Sequence, residues 1–553
     1  MNRGSVPARA VLAGVAVLAL APGTVSVGAS FTAQATVPGV ASVVTASVSG
    51  LQGGQASRTS AGVASVTWDE PALRADEAEY VVERTVGSVT SVIDPVVTAA
   101  DGAVGFVDDL TVPAVDAASL VGIDAGFYHT CGVTEAGAVA CWGSGIYGAL
   151  GNGSAQQRPT PTLVDVSALP GTPRFRSVSA GDEHTCALTE AGEIYCWGME
   201  TYGRLGVAGA ANRWFRPVSP VEADLSPGDR FVSVSGGSWH TCALTQAGRV
   251  FCWGNGGGVG SLGDGRSDIA VVPVEVSRTH VPSGAKFVAI DSGSTHTCAV
   301  IETGRAYCWG MGGDGQLGHG ARVNAHVPTA VNMAAFPGER LVSVAAGYAS
   351  TCALAASGAV YCWGFNRSGQ LADGTTASSL VPVRALRGSI PQGREILSIS
   401  AFHEHVCVLV DDGSAHCWGS DEFGQLGRGG SGYASQPVAV ARAALPPDAR
   451  LTQLSAGVEH TCALSADHGA FCWGLGAYGR LGDGSTASHR VPARVDHSGL
   501  PQLDPCDPGW VAVAGHRCAP GADIAVGYRI DHSLRGWTPP QPLLVSAPVA
   551  DIP

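Results

Sequence analysis

Seven copies of one unit, spaced 54 to 56 residues apart, run through this 553-residue sequence and leave few folds open to it. The unit is typified by Ser177-Val-Ser-Ala-Gly-Asp-Glu-His-Thr-Cys-Ala-Leu, then Gly192-Glu-Ile-Tyr-Cys-Trp-Gly, then Gly203-Arg-Leu-Gly. Its first cysteines are Cys131, Cys186, Cys242, Cys298, Cys352, Cys407 and Cys462. The second follows ten residues later in every copy, at Cys141, Cys196, Cys252, Cys308, Cys362, Cys417 and Cys472, and Trp-Gly comes directly after it.

The unit reads as short strands joined by tight turns. Phe175 to Ala180 alternates as a half-buried strand should. Thr185 to Thr189 and Glu193 to Trp197 form a hairpin around Glu190-Ala191-Gly192. A three-residue hairpin loop needs its last residue in the left-handed conformation, which glycine adopts without a Cβ clash. Gly137, Gly192, Gly248, Gly304, Gly358 and Gly413 fill that place; the seventh copy has His468 there, with Gly469 one residue late, and a different turn is expected. A Pro-x-Val element follows at Pro161, Pro217, Pro273, Pro328, Pro382, Pro437 and Pro492. Proline cannot donate to a ladder, so this strand belongs at an edge or begins there.

The hairpin register sets Thr189 opposite Glu193, Leu188 opposite Ile194 and Cys186 opposite Cys196. Counted outward from the turn, the cysteines fall on a non-hydrogen-bonded pair, where Cα atoms approach to about 4.5 Å, within reach of a disulfide. One bridge per unit is therefore predicted. Metal binding is the rival reading, but zinc sites pair cysteines two to four residues apart.

An exported chain would favour sulfur bridges. The N-terminus has the layout of a secretory leader: Arg3 and Arg9, a short apolar run from Val11 to Leu20, and Ala33-Gln34-Ala35 as a cleavage site, with another near Ala29. Residues 1–35 are read as that leader, and the protein is expected to be secreted or held at the cell surface. No later stretch is apolar for about 18 residues, so no transmembrane span is expected. The net charge of −14 and the single lysine, Lys286, argue against a nucleic-acid partner.

The motifs Gly-x-x-His-Thr-Cys-Ala-Leu and Cys-Trp-Gly-x-x-x-x-Gly-Gln-Leu-Gly, the latter as it stands up to Gly318, together with the period, resemble repeats of the regulator of chromosome condensation type, RCC1. The resemblance implies an all-β fold, a seven-bladed β-propeller with four strands per blade, here over residues 112–500. The cysteine pairs depart from intracellular members. Copy five departs further, with Ser350 in place of histidine and Ala372 in place of a turn glycine. Val112-Pro113 repeats the Pro-x-Val element ahead of copy one, so the N- and C-terminal versions are expected to compete to close the ring.

Residues 36–111 carry Ala64-Ser-Val-Thr-Trp-Asp-Glu-Pro, Tyr80-Val-Val-Glu-Arg and Phe106-Val-Asp-Asp, similar to the early strands of a fibronectin type III module, a small β-sandwich that is truncated here or completed by other segments. Residues 501–553 hold Cys506 and Cys518, expected to close a small loop, and Tyr528-Arg-Ile-Asp, read as a β element.

No catalytic constellation stands out. His129, His184, His240, His296, His405 and His460 each precede a strand cysteine by two residues, and one structural hydrogen bond per blade accounts for them. His403-Glu404-His405 lacks the helical spacing of a metal-binding HExxH motif. No metal or cofactor is expected. The two variable positions before each histidine are more informative, because they fall on equivalent turns and so on one face. Phe127, Tyr128, Asp182, Glu183, Trp239, Tyr348, Glu404 and Glu459 stand there as a candidate partner-binding face, aromatic and acidic. The resulting expectation is an exported, monomeric, non-catalytic scaffold that binds a protein or a cell-envelope glycan. The alternative is a secreted enzyme inhibitor, since a secreted bacterial β-lactamase inhibitor has a similar propeller. Guanine-nucleotide exchange on a small GTPase, an activity the resemblance also implies, fits an exported disulfide-bonded chain poorly.

Overall fold

The computed structural model describes residues 119–500, except 172, 208–211, 219–222 and 448; outside that span it describes only the backbone of the strands. Two units emerge, Ala118–Pro501 and a second built from Met1–Ala117 with Gln502–Pro553.

The first unit is seven four-stranded antiparallel sheets, each made of consecutive strands. Blade two comprises Phe175–Ala180, His184–Thr189, Ile194–Met199 and Arg213–Val218. The first strands of neighbouring blades touch all round the ring and line its axis. The fourth strands, which hold Pro161, Pro217, Pro273, Pro328, Pro382, Pro437 and Pro492, form the outer edge, where a missing N–H costs no ladder bond. Every first strand carries one extra residue against its partner, as at Arg176 between Phe175 and Ser177. Such a bulge bends the strand and re-aims its side chain.

Cys186 faces Cys196 in the ladder, the register read from the hairpin. All seven pairs are bridged, with Cα atoms 4.0 to 4.1 Å apart. The seventh turn does not differ. His468 adopts φ 60, its N–H donates to Ser465 O, and Ser465 N–H donates to Gly469 O, as in the glycine turns. A histidine at that φ carries a Cβ strain that glycine avoids, and the hairpin's other bonds hold it there.

Each blade is complete within its own copy, and Pro492 lies in blade seven's own fourth strand, His489–Arg494. Val112-Pro113 lies outside the described residues. Blade seven meets blade one through backbone bonds, Val458 N–H to Gly126 O at 3.2 Å and Gly484 N–H to Pro159 O at 2.9 Å, and through side chains. Gln453 Oε1 accepts from Ile123 N–H at 3.2 Å while its Nε2 donates to Ile123 O at 3.1 Å. Ser455 Oγ accepts from Ala125 N–H at 2.9 Å and donates to Asp124 at 2.6 Å.

In the second unit, Ala78–Val86, which contains Tyr80-Val-Val-Glu-Arg, pairs antiparallel with Val526–Leu534, which contains Tyr528-Arg-Ile-Asp, so that Val82 faces Ile530. N- and C-terminal segments thus share one sheet. Cys506 lies outside the described residues, and Cys518 sits in the strand Arg517–Pro520, of which only the backbone is described.

Candidate partner-binding face

Antiparallel order puts the first-to-second and third-to-fourth connections of every blade at one end, here called the top. What fixes that end is a repeated network between blades. The residue between the glycine and leucine of each Gly-x-Leu-Gly turn offers its carbonyl to the next blade. Ser261 O accepts from Trp309 Nε1 at 3.0 Å and from Thr297 Oγ1 at 3.2 Å. His240 Nε2 lies 2.8 Å from the same Thr297 Oγ1. The threonine's proton is committed to the carbonyl, so the imidazole must donate from Nε2. The same histidine–threonine pair joins His129 to Thr185, His184 to Thr241, His296 to Thr351, His405 to Thr461 and His460 to Thr130, at 2.7 to 2.9 Å. Burial holds these rings neutral, pushing His240 down to about 4 and His129, His296 and His405 to about 3. The seven tryptophans are fully buried beneath the turns.

The three side chains of His403-Glu404-His405 go to separate partners. His403 lies 5.0 Å from the Tyr348 ring, Glu404 accepts from Ser368 Oγ at 2.9 Å, and His405 serves the network. Among the described residues no group of three or more His, Cys, Asp or Glu side chains could hold a metal ion. No helix among them is long and apolar enough to cross a membrane.

All eight candidate residues lie in the top loops, but they divide by role. Phe127 packs inward against Phe402, Ala456 and Val458. Tyr348 (50% exposed) and Trp239 (38%) point to solvent. The carboxylates turn back onto the protein: Glu183 lies 3.4 Å from Arg204, and Glu459 lies 3.5 Å from Arg480. Burial raises Asp182 to about 6. The acidic character expected of this face is therefore largely spent within the fold.

The sequence reading missed the two arginines and three tyrosines of the neighbouring turns. Arg204 and Arg480 are buried, each reaching across a blade boundary to donate to a carbonyl, Ser238 O at 3.1 Å and Phe127 O at 2.8 Å. Arg204 sits 5.0 Å from the Trp239 ring, and Arg480 sits 5.6 Å from Tyr128 and 5.9 Å from Tyr478. Tyr202 meets Trp239 edge to face at 5.8 Å, and Tyr478 meets Tyr128 in the same way at 5.6 Å, with Tyr147 6.5 Å from Tyr128. Tyr202 (42% exposed) and Tyr478 (39%) hold φ 72 and 65, left-handed values that set both rings on the surface. Two aromatic groups thus sit on the top face, Tyr478, Tyr128 and Tyr147 across blades seven and one and Tyr202 with Trp239 across blades two and three, each underlain by a buried arginine. The available signal was Tyr-Gly-x-Leu-Gly, present at Tyr147, Tyr202 and Tyr478 but absent from the other four copies.

A disulfide-pinned seven-bladed propeller carrying a fixed aromatic surface is the class that this architecture defines. The chain belongs to the Regulator of chromosome condensation (RCC1) repeat family, whose model matches seven segments from 136–188 to 467–514. It is 35% identical over 377 residues to the Arabidopsis thaliana "Ultraviolet-B receptor UVR8", covering 68% of this chain and 81% of that protein. It is 29% identical over 392 residues to the Mus musculus "Regulator of chromosome condensation", covering 66% and 87%. Among solved structures, human WBSCR16 superposes with a TM-score of 0.57 at 23% identity, covering 65% of this chain and 93% of that one. Prp20p from Saccharomyces cerevisiae gives 0.57 at 22%, covering 69% and 89%.

Proposed function

We propose that this chain is an exported, non-catalytic scaffold that binds a protein or cell-envelope partner through the top of its propeller. The observation that carries the reading is the pair of aromatic groups on the top face, Tyr478, Tyr128 and Tyr147 in one and Tyr202 and Trp239 in the other. These are large, stiff side chains held at the surface by buried arginines and by left-handed backbone. Tyrosine and tryptophan in fixed rotamers lose little entropy on binding and anchor interfaces. The solved relative Prp20p is described by its binding to Gsp1p and histones, which supports a binding role for the fold. Export accords with the seven bridges, which a reducing cytosol would not sustain, and the same bridges weigh against nucleotide exchange on an intracellular GTPase. The fibronectin-like N-terminal module is read as a spacer.

The test is affinity capture from the producer's extracellular and envelope fractions, with wild type beside a Tyr128→Ala/Tyr202→Ala/Trp239→Ala variant of matched circular dichroism. Capture by the wild type that the variant loses supports the reading. Equal capture by both removes the top face from it.

A further inference from the structure

The seven blade boundaries are not equivalent. The boundary between blades five and six lacks two polar links that all six others share, while it keeps the tryptophan–carbonyl bond and the rim backbone bond. Ser350 replaces the network histidine and Val406 replaces its threonine partner, so both ends of that pair are missing together. The inner-strand link is missing as well. Asp124, Ser179, Ser235, Asp291, Ser400 and Ser455 each accept from a backbone N–H of the next blade, whereas blade five has Ala345 in that place. At the base, three boundaries add an arginine, Arg174, Arg340 and Arg450, that donates to a carbonyl of the preceding blade's turn; blade six has Glu395 there, and the remaining boundaries also do without this bond.

Two strained residues flank the same boundary. Ala372 takes φ 54 against Trp418, where other copies have the glycine that clears the tryptophan. His403 takes φ 52 directly after Phe402, which occupies the place of a glycine in the other copies. A cleft of about 70 Å³ opens at the base between Ala359, Leu386, Ile390, Ile396, Trp418 and Pro437. What remains is apolar packing, Trp418 Nε1 donating to Gln370 O at 2.8 Å, Tyr348 N–H donating to His403 O at 2.8 Å, Ser368 donating to Glu404, the rim bond from Gly374 N–H to Ser435 O at 2.9 Å, and, from the segment that links the two blades, Ser389 N–H donating to Pro437 O at 2.9 Å with Ser389 Oγ 2.7 Å from His416 Nδ1.

The boundary where the chain's own ends meet would be the expected weak point, since no peptide bond crosses it. That boundary lacks the tryptophan bond, Trp142 Nε1 having no partner, but it keeps the histidine–threonine pair and both serine bonds and adds the two Gln453 bonds.

We infer that the ring opens between blades five and six, and that this compliant seam, rather than the chain-end seam, is its built-in hinge. Directional hydrogen bonds lock two sheets in register, whereas apolar contact tolerates sliding. A boundary held chiefly by packing therefore yields first.

Hydrogen exchange of the full-length oxidised protein, read by mass spectrometry after reduction in quench, tests this. Peptides covering Ser350–Ala355 and Ile396–Val410 should exchange roughly tenfold or more faster than their counterparts at the blade seven–one boundary. Uniform protection around the ring, or faster exchange at the seven–one boundary, overturns the inference. A second arm copies the natural substitutions elsewhere. In a His240→Ser/Thr297→Val variant, the boundary between blades three and four should gain comparable fast exchange. If that variant folds and its exchange stays at the wild-type rate, the missing pair is not what loosens the seam.

Discussion

Thr297→Val isolates the network bond on which the blade boundaries depend. Valine matches threonine closely in volume, so the change opens no cavity. It removes one hydroxyl that donates to Ser261 O at 3.2 Å and takes the Nε2 proton of His240 at 2.8 Å. The carbonyl keeps its bond from Trp309 Nε1 at 3.0 Å, so the greater loss falls on the histidine. His240 is fully buried, and its Nδ1 already has no partner. The variant forfeits about 1 kcal/mol of net bonding and leaves a buried N–H donor unsatisfied at about 1–3 kcal/mol, so a loss of roughly 2–4 kcal/mol is expected. Thr297→Ser keeps the hydroxyl and loses one methyl, at about 1 kcal/mol. Urea unfolding of the oxidised protein, followed by tryptophan fluorescence, should therefore rank wild type, serine and then valine variant in falling midpoint. A serine variant at or below the valine one would refute the reasoning, because packing rather than the hydroxyl would then hold the boundary.

Other outcomes follow from the same geometry. Gln453→Ala removes both bonds to Ile123 and should cost about 1–2 kcal/mol, seen as a lower urea midpoint; an unchanged midpoint would mean that the closure needs no latch. Gly318→Ala sets a Cβ 2.7 Å from Trp363 Nε1 at φ 67, and a loss of roughly 2–4 kcal/mol in thermal unfolding is expected. The ring histidines hold fewer protons folded than unfolded below their ordinary value of 6.5, so they withdraw stability as pH falls from there toward 3 or 4. Asp124 and Asp182, raised to about 6, and Asp291 and Glu200, raised to about 7, act oppositely, since their folded-state preference for the proton is lost as pH rises through those values. Six histidines outweigh four carboxyls, so the melting temperature should climb from pH 5 to pH 7 and then level off; a fall over that range would contradict the buried neutral ring.

The blade was legible because its signals are local. A glycine at 192 sets the turn, the turn sets the register, and the register brings Cys186 to Cys196. The proline of the fourth strand marked the outer edge for the same reason. What stayed hidden depends on residues about 56 apart in sequence. Ser350 stood out as a lone departure, but Val406 became its counterpart only once the blades were side by side, because the missing pair spans a boundary. His468 misled because a turn usually filled by glycine was taken to require it, whereas the surrounding ladder imposes the left-handed conformation on histidine. On the top face, Trp239 and Tyr348 were legible one position at a time, whereas Glu183 and Glu459, expected on the partner-binding face, turn back onto the fold. Their partners, Arg204 and Arg480, lie in a different loop and are buried, a placement that no one-dimensional pattern reports.

Free-thiol counting with non-reducing peptide mapping, on protein recovered from its producing cells, tests the central claim most directly. Near-zero free thiol is expected, with Cys131 joined to Cys141 and so on through Cys462 joined to Cys472, on a chain lacking its first 35 or so residues. Fourteen free propeller thiols on a chain that keeps those residues would contradict it.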